Sequence, residues 1–236
     1  MALNSENKLL AQKLYFFLGS IFISALVVSN LIFQKFFSWY PFNFEILGIK
    51  LFELSVGVLP YPITFLITDI ISEIFGKRKA NQVVVMGIVS SIFSIALLLL
   101  GDVLPANSSS PIDDETFNLV FSASPLAVLA SMSAYLIAQF LDIRIYHFWK
   151  QLTKGKYLWL RNNFSTFSSQ IIDSATVIAL LCFFDILAWD LFLGLVLSSI
   201  IFKIIVAIID TPLLYLLVGL IRKKFHLGIN DEIDID

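Results

Sequence analysis

Leu59-Pro60-Tyr61-Pro62-Ile63-Thr64-Phe65-Leu66-Ile67-Thr68-Asp69-Ile70-Ile71-Ser72-Glu73-Ile74-Phe75 is an apolar run with a carboxylate near its middle. Two prolines open it, where a helix loses little by their missing N–H. Asp69 and Glu73 stand four residues apart with Ser72 and Gly76 adjoining, so a helix puts them on one face. Charge at the depth of Asp69 costs several kcal/mol in hydrocarbon, so that face has to turn away from lipid. The run reads as one helix of a membrane bundle with a polar interior.

The rest of the chain agrees. Apolar residues make up 58% of 236, mean hydropathy is +0.87 and 14% are charged, more apolar matter than one soluble core of this length can hide. Stretches able to span, at about 20 residues or roughly 30 Å each, cover residues 13–34, 59–75, 82–104, 125–148, 164–187 and 191–220. The expected fold is an all-α membrane protein of six transmembrane helices in one bundle, a single domain over residues 1–236. Connections are short, with no linker or low-complexity run to mark a second domain.

Orientation follows from the cations. Of 16 Lys and Arg, Lys8, Lys13, Lys77, Arg78, Lys79, Arg144, Lys150, Lys154, Lys156, Arg161, Arg222, Lys223 and Lys224 fall on one side of such a bundle. Lys35 and Lys50 fall on the other, and Lys203 lies inside a span. The bias predicts both termini in the cytoplasm. The first span is too long for a signal-peptide core and lacks a clear cleavage site, so it is expected to stay.

Between the first two helices, Phe42-Asn43-Phe44-Glu45-Ile46 alternates, Leu47-Gly48 offers a turn, and the residues from Lys50 to Leu54 return. This predicts a short extracellular hairpin or re-entrant segment. Asp210-Thr211-Pro212 is expected to kink or break the last span.

Asp69, Asp173 and Lys203 each lie roughly 15 to 18 Å from a helix end at 1.5 Å per residue, so three helices bring charge to one level. Thr166, Ser169, Gln170 and Asp173 share one face, as do Ser199 and Lys203. One account is structural: the polar groups tie the helices together and Lys203 neutralises Asp173 or Asp69. It leaves the remaining carboxylates, Glu73 included, in need of a partner, which a ligand or a proton supplies. Asn30 and Gln34 near the end of the first helix read equally as packing or binding amides. Gln139, Asp142 and Arg144 read first as a solvated cap or gate pair, and Lys77–Lys79 and Arg222–Lys224 as topology signals. His147 and His226, both on the cytoplasmic side and far apart in sequence, leave an intramembrane zinc hydrolase almost no ligands to work with, and the lone Cys182 reads as a small apolar residue. No metal, cofactor or catalytic residue is expected.

The stretch from Phe65 to Gly76, preceded by Pro62, resembles the signature of the queuosine precursor transporter family, the YhhQ-type membrane proteins. Ser29-Asn30, Gln139-Phe140-Leu141-Asp142, Gln170-Ile171-Ile172-Asp173 and Phe202-Lys203 with Pro212 are similar to that family's pattern, in order. Gln170 departs from the Asn of some members, keeping the amide and lengthening its reach. The resemblance implies six spans in a bacterial inner membrane and uptake of a 7-deazaguanine base, such as the cyano or aminomethyl form or queuine, for tRNA modification. It implies the lipid bilayer and that small molecule as partners, with a homodimer allowed and no nucleic acid bound. Such a base presents a ring N–H beside an NH2, a pair one carboxylate accepts, and a carbonyl that an amide or lysine meets. The implied substrate-binding set is Asn30, Asp69, Glu73, Gln139, Gln170, Asp173 and Lys203. In it Asp173 or Asp69 clamps the base edge, Glu73 or the second aspartate meets an ammonium, and Lys203 balances the empty site.

Two other readings stand beside this one. A substrate-binding subunit of an energy-coupling vitamin importer needs a small-residue docking face, for which Ser20 and Ser24 offer only a modest pair. A polar-faced membrane assembly protein would also bury such stripes. An intramembrane enzyme has no nucleophile elbow or His-Glu-x-x-His to work with.

Overall fold

The computed structural model describes residues 5–33, 35–38, 45–46, 49–50, 53–121, 125–185 and 187–235. Its helices are α1 (Ser5–Ile32), α2 (Tyr61–Ile74), α3 (Gly76–Val103), α4 (Asp114–Phe121), α5 (Pro125–Leu152), α6 (Leu158–Phe183) and α7 (Phe192–Phe225). Among the described residues, five helical segments are long and apolar enough to cross a membrane: α1, α2 with the 3-10 turn Val56–Val58 before it, α3, α6, and α7 with its leading turn. α5 is 28 residues long as well.

α1, α3, α5, α6 and α7 each overrun one end of the expected span, while α2 falls just inside its own; hydropathy marks the part that meets lipid, not where the hydrogen bonds end. α3 starts at Gly76 and carries Lys77, Arg78 and Lys79 on its first turn. α4 is an addition to the expected elements. It is short, opens on Asp114 and Glu115, is capped by Asp113 accepting from the Thr116 N–H at 2.8 Å, and packs Phe117 on Phe121. Acids at a helix N-terminus and a side-chain cap let eight residues hold a helix that no apolar run announces. The Thr116 side-chain hydroxyl, and after it the Thr116 backbone N–H, hold the Asp113 carboxyl below its usual range.

Four strands precede α2. Residues Phe36–Ser38 (β1) pair antiparallel with Glu53–Ser55 (β4), and Glu45–Ile46 (β2) with Ile49–Lys50 (β3). The turn expected at Leu47-Gly48, and Phe42 to Phe44, lie outside the described residues, as does Gln34. The 3-10 turn is pinned to α1 by the Ser29 hydroxyl donating to the Gly57 carbonyl.

α5 packs along α6, α6 along α7, and α2 lies between α1, α3, α5 and α7. The distribution of polarity is inverted relative to a soluble protein. Ser165, Thr166, Ser169, Gln170, Asp173 and Ser174 of α6 are buried, while its Phe164, Ile171 and Ile172 are 46%, 46% and 37% exposed. Phe16, Phe93, Leu100 and Ile209 form part of the same apolar exterior. A bundle with carboxylates and amides inside and many of its phenylalanines outside suits hydrocarbon as solvent.

Of the kink or break expected at Pro212, α7 shows no break: it runs on through that residue. Pro212 leaves the Ile208 carbonyl without its usual donor, and next to it the Thr211 hydroxyl donates to the Ala207 carbonyl at 2.9 Å and takes a bond from the Asn163 amide at 3.0 Å. The strained turn is thereby tied to α6 rather than opened.

After α7 the chain turns at His226 and folds residues 227–235 back over one end of the bundle. The Ile233 N–H donates to the Ile74 carbonyl at 2.7 Å, Gln12 Nε2 to the Ile235 carbonyl at 3.1 Å, and Ile233 and Ile235 are buried. Gly76 and Gly155 receive this tail. Both have positive φ, 82° and 75°, and a Cβ on them would strike Glu232 and Asn230 respectively. Gly76→Ala is expected to cost at least about 1–2 kcal/mol from the backbone alone, read as a lowered melting temperature in detergent. An unchanged temperature would remove the tail from this account.

Candidate functional site

A cleft opens between α2, α6 and α7. Tyr61, Pro62, Phe65, Leu66 and Asp69 line it from α2, Asn162, Thr166 and Gln170 from α6, and Phe202, Lys203, Val206 and Asp210 from α7. Each contributes at three- or four-residue spacing, the facing stripe of its helix. Its cavity volume is about 30 Å³, room for a water or two and too little for a bicyclic base. The cleft is closed around its polar groups in this conformation.

Lys203 is held at its wall. Its Nζ lies 2.6 Å from Asp173 Oδ2 and 3.0 Å from Ser174 Oγ, and 5.0 Å from the centre of the Tyr61 ring. Both charged side chains are buried, at 10% and 3% exposure, so their pairing is close to obligatory. Tyr61 in turn meets Tyr135 edge-on and stacks on Phe65. Of the two carboxylates that the sequence leaves open for Lys203, the fold selects Asp173.

The remaining polar atoms around the cleft are short of donors. Asp69 Oδ1, Gln170 Oε1 and Asp173 Oδ1 are buried with no hydrogen-bond partner in the protein. Buried acceptors left so are costly and in native structures mark a place for something else.

Asp69 reaches Asp142, not a cation. The two carboxyl groups are within hydrogen-bonding range of one another, Asp142 Oδ1 accepts from Ser169 at 3.1 Å, and Asp142 Oδ2 has no partner. This corrects the solvated-cap reading of Asp142, which is 0% exposed. Arg144, by contrast, points to solvent.

Glu73 is corrected too. It shares the Asp69 face, but one turn further along it enters a separate cluster at the end carrying both termini. Arg161 Nη2 lies 2.6 Å and Arg222 Nη2 2.5 Å from Glu73 Oε1. Tyr146 donates to Oε2 at 2.9 Å, and Lys150 sits 3.8 Å from Oε2 and 2.8 Å from Glu232 of the tail. With three cations on one carboxylate, Glu73 has no capacity left for a substrate ammonium. Arg161, Lys150 and Arg222 were legible only as topology signals. Arg161 is 1% exposed and completes its fork on the Gly155 and Lys156 carbonyls.

Gln139 is fully buried, donating to the Tyr135 hydroxyl at 2.8 Å and lying 3.4 Å from Thr68 Oγ1, outside the cleft lining. Asn30 lines a different, smaller void with Leu26, Ile88, Ser91, Met132 and Tyr135. Of the seven residues expected to bind substrate, the structure thus brings Asp69, Gln170 and Lys203 to one cleft with Asp173 behind Lys203, and separates Asn30, Glu73 and Gln139. Sequence reasoning passed over Asn162 and Asp210 as lining residues, and Tyr61, Phe65 and Phe202 as its aromatic wall. Their signal was the spacing to Thr166, Asp69 and Val206 along the same stripes. Among the described residues no three His, Cys, Asp or Glu side chains cluster as a metal site.

Residues 55–217 match the model of a protein family described as "Putative vitamin uptake transporter". A curated relative from Bacillus subtilis (strain 168), "Probable queuosine precursor transporter", is 29% identical over 170 residues, covering 71% of this chain and 73% of its own. No solved structure matches the chain.

Proposed function

We propose, from the premise that this chain belongs to the vitamin uptake transporter family, that it imports a queuosine precursor, a 7-deazaguanine base, through the α2–α6–α7 cleft. The chain is a multi-pass membrane transporter and not an enzyme; the substrate and the route are our reading. One observation carries it: the partnerless buried acceptors Asp69 Oδ1 and Gln170 Oε1 belong to residues lining a cleft with one lysine, and Asp173, paired with that lysine from behind, has a partnerless Oδ1 as well. A guanine-like edge offers the complement, two adjacent N–H donor groups with a carbonyl beside them. Tyr61, Phe65 and Phe202 supply flat apolar faces for its ring. Asp210 takes over the part once given to Glu73, since it lines the cleft on the side of α7 nearest the tail and suits a cationic substituent.

In this reading α1, α2, α3, α5, α6 and α7 span the inner membrane with both termini cytoplasmic, as the distribution of Lys and Arg favours. The Glu73 cluster and the tail then close the cytoplasmic end. Movement of substrate requires α2 and α7 to part around the cleft and the cluster to separate, an alternation of access about a midplane site.

Purified protein in liposomes, with no ATPase partner, is expected to take up labelled 7-deazaguanine bases saturably. Gln170→Leu is expected to weaken apparent affinity about tenfold or more, since a substrate donor loses its acceptor in a dry site. Transport of a vitamin with no uptake of any deazaguanine base would overturn the substrate. Uptake only after adding an energy-coupling partner would favour the subunit reading.

A further inference from the structure

We propose that Asp69 and Asp142 form a shared-proton site, and that this transporter moves its substrate together with a proton. Of the buried acids in the bundle, Glu73 has Arg161, Arg222 and Lys150, and Asp173 has Lys203. Asp69 and Asp142 make no ion pair among the described residues; they have each other.

Two carboxyl groups in contact cannot both stay ionised without a neighbouring cation; a proton between them removes the repulsion and supplies a donor where an oxygen of each has none. The partnerless oxygens Asp69 Oδ1 and Asp142 Oδ2, on side chains 2% and 0% exposed, are consistent with that proton.

The surroundings leave the pair dependent on a proton. Glu73 follows it on α2, Tyr146 lies on α5, Arg161 and Asp173 on α6, and Lys203 and Asp210 on α7. Arg161 is held by Glu73 and two backbone carbonyls, and Lys203 by Asp173 and Ser174. α1 and α3 contribute no buried charged residue among those described. From α6, the Ser169 hydroxyl donates to Asp142 and stabilises the carboxylate that remains when the proton leaves.

The position of Asp69 couples the two ligands. It is a wall of the cleft and at the same time half of the acid pair, so substrate N–H groups and the proton contend for one carboxyl. The step makes no covalent bond in the substrate: a proton from outside water joins a carboxylate oxygen, and the same proton leaves to cytoplasmic water.

Two measurements test this, and the first needs no substrate. Infrared spectra of the purified protein at neutral pH are expected to show a protonated-carboxyl C=O band that disappears in Asp142→Asn. The absence of any such difference would overturn the proton site. The second rests on the deazaguanine reading. In liposomes holding a pH dye, an inward gradient of one pH unit is expected to drive about tenfold accumulation for one proton per neutral base, with the lumen acidifying as substrate enters. Asp142→Asn is expected to leave uptake indifferent to the gradient. Wild-type accumulation that ignores pH, or follows sodium at fixed pH, would overturn coupling. If no deazaguanine base moves at all, the infrared result still decides the proton site, which separates that failure from this one.

Discussion

Lys203→Met is expected to abolish uptake, by about 100-fold or more, in protein that still inserts and folds. The substitution leaves Asp173 buried behind the cleft wall with its 2.6 Å partner gone, and stranding one member of a buried pair costs about 3–5 kcal/mol. Asp173 and Tyr61 then lose the charge that orients them, and the cleft its only cation among the described lining residues. Lys203→Arg is not expected to rescue, because a planar fork does not fit the point contact with Asp173 and Ser174. Asp173→Asn combined with Lys203→Met removes both charges, so its melting temperature is expected to recover toward wild type while uptake does not. Transport at the wild-type rate by Lys203→Met would refute the site.

Glu73→Gln is the second large effect, and it acts on closure rather than on the cleft. Arg161, 1% exposed, would keep its charge and lose the carboxylate that balances it, with Arg222 and Lys150 nearby. Loss on the order of 3–5 kcal/mol is expected, concentrated where the tail seals the end of the bundle. The tail reports it: Ile233, 2% exposed, replaced by cysteine, is expected to react with a membrane-impermeant maleimide at least about tenfold faster in the Glu73→Gln background. Equal labelling in both backgrounds would show that the cluster does not hold this end shut.

The sequence read the helices well and their company poorly. Three-and-four spacing marked the inward faces of α2 and α6 correctly, and those residues are buried in the structure. The reading of Glu73 failed at a distance that spacing does not measure. It shares a face with Asp69, yet four residues advance about 6 Å along a helix, enough to leave one polar layer for another. Its partner Arg161 lies 88 residues away and looked like a loop cation, because charge near a span end usually serves topology. Asp142 looked like a cap for the same reason. α4 and the tail escaped notice because each is held by caps, buried isoleucines and backbone bonds rather than by a periodic apolar run.

Composition and patterning alone determined that this chain suits a bilayer and that its polar stripes face inward. Those are properties of a single helix against its solvent, which a linear sequence encodes. Only tertiary structure decided that Lys203 meets Asp173, that Asp69 meets Asp142, and that Glu73 joins three cations beneath the tail. Which charges touch is set by helix crossing and axial offset, and a buried charge derives its chemistry from the one neighbour it actually reaches.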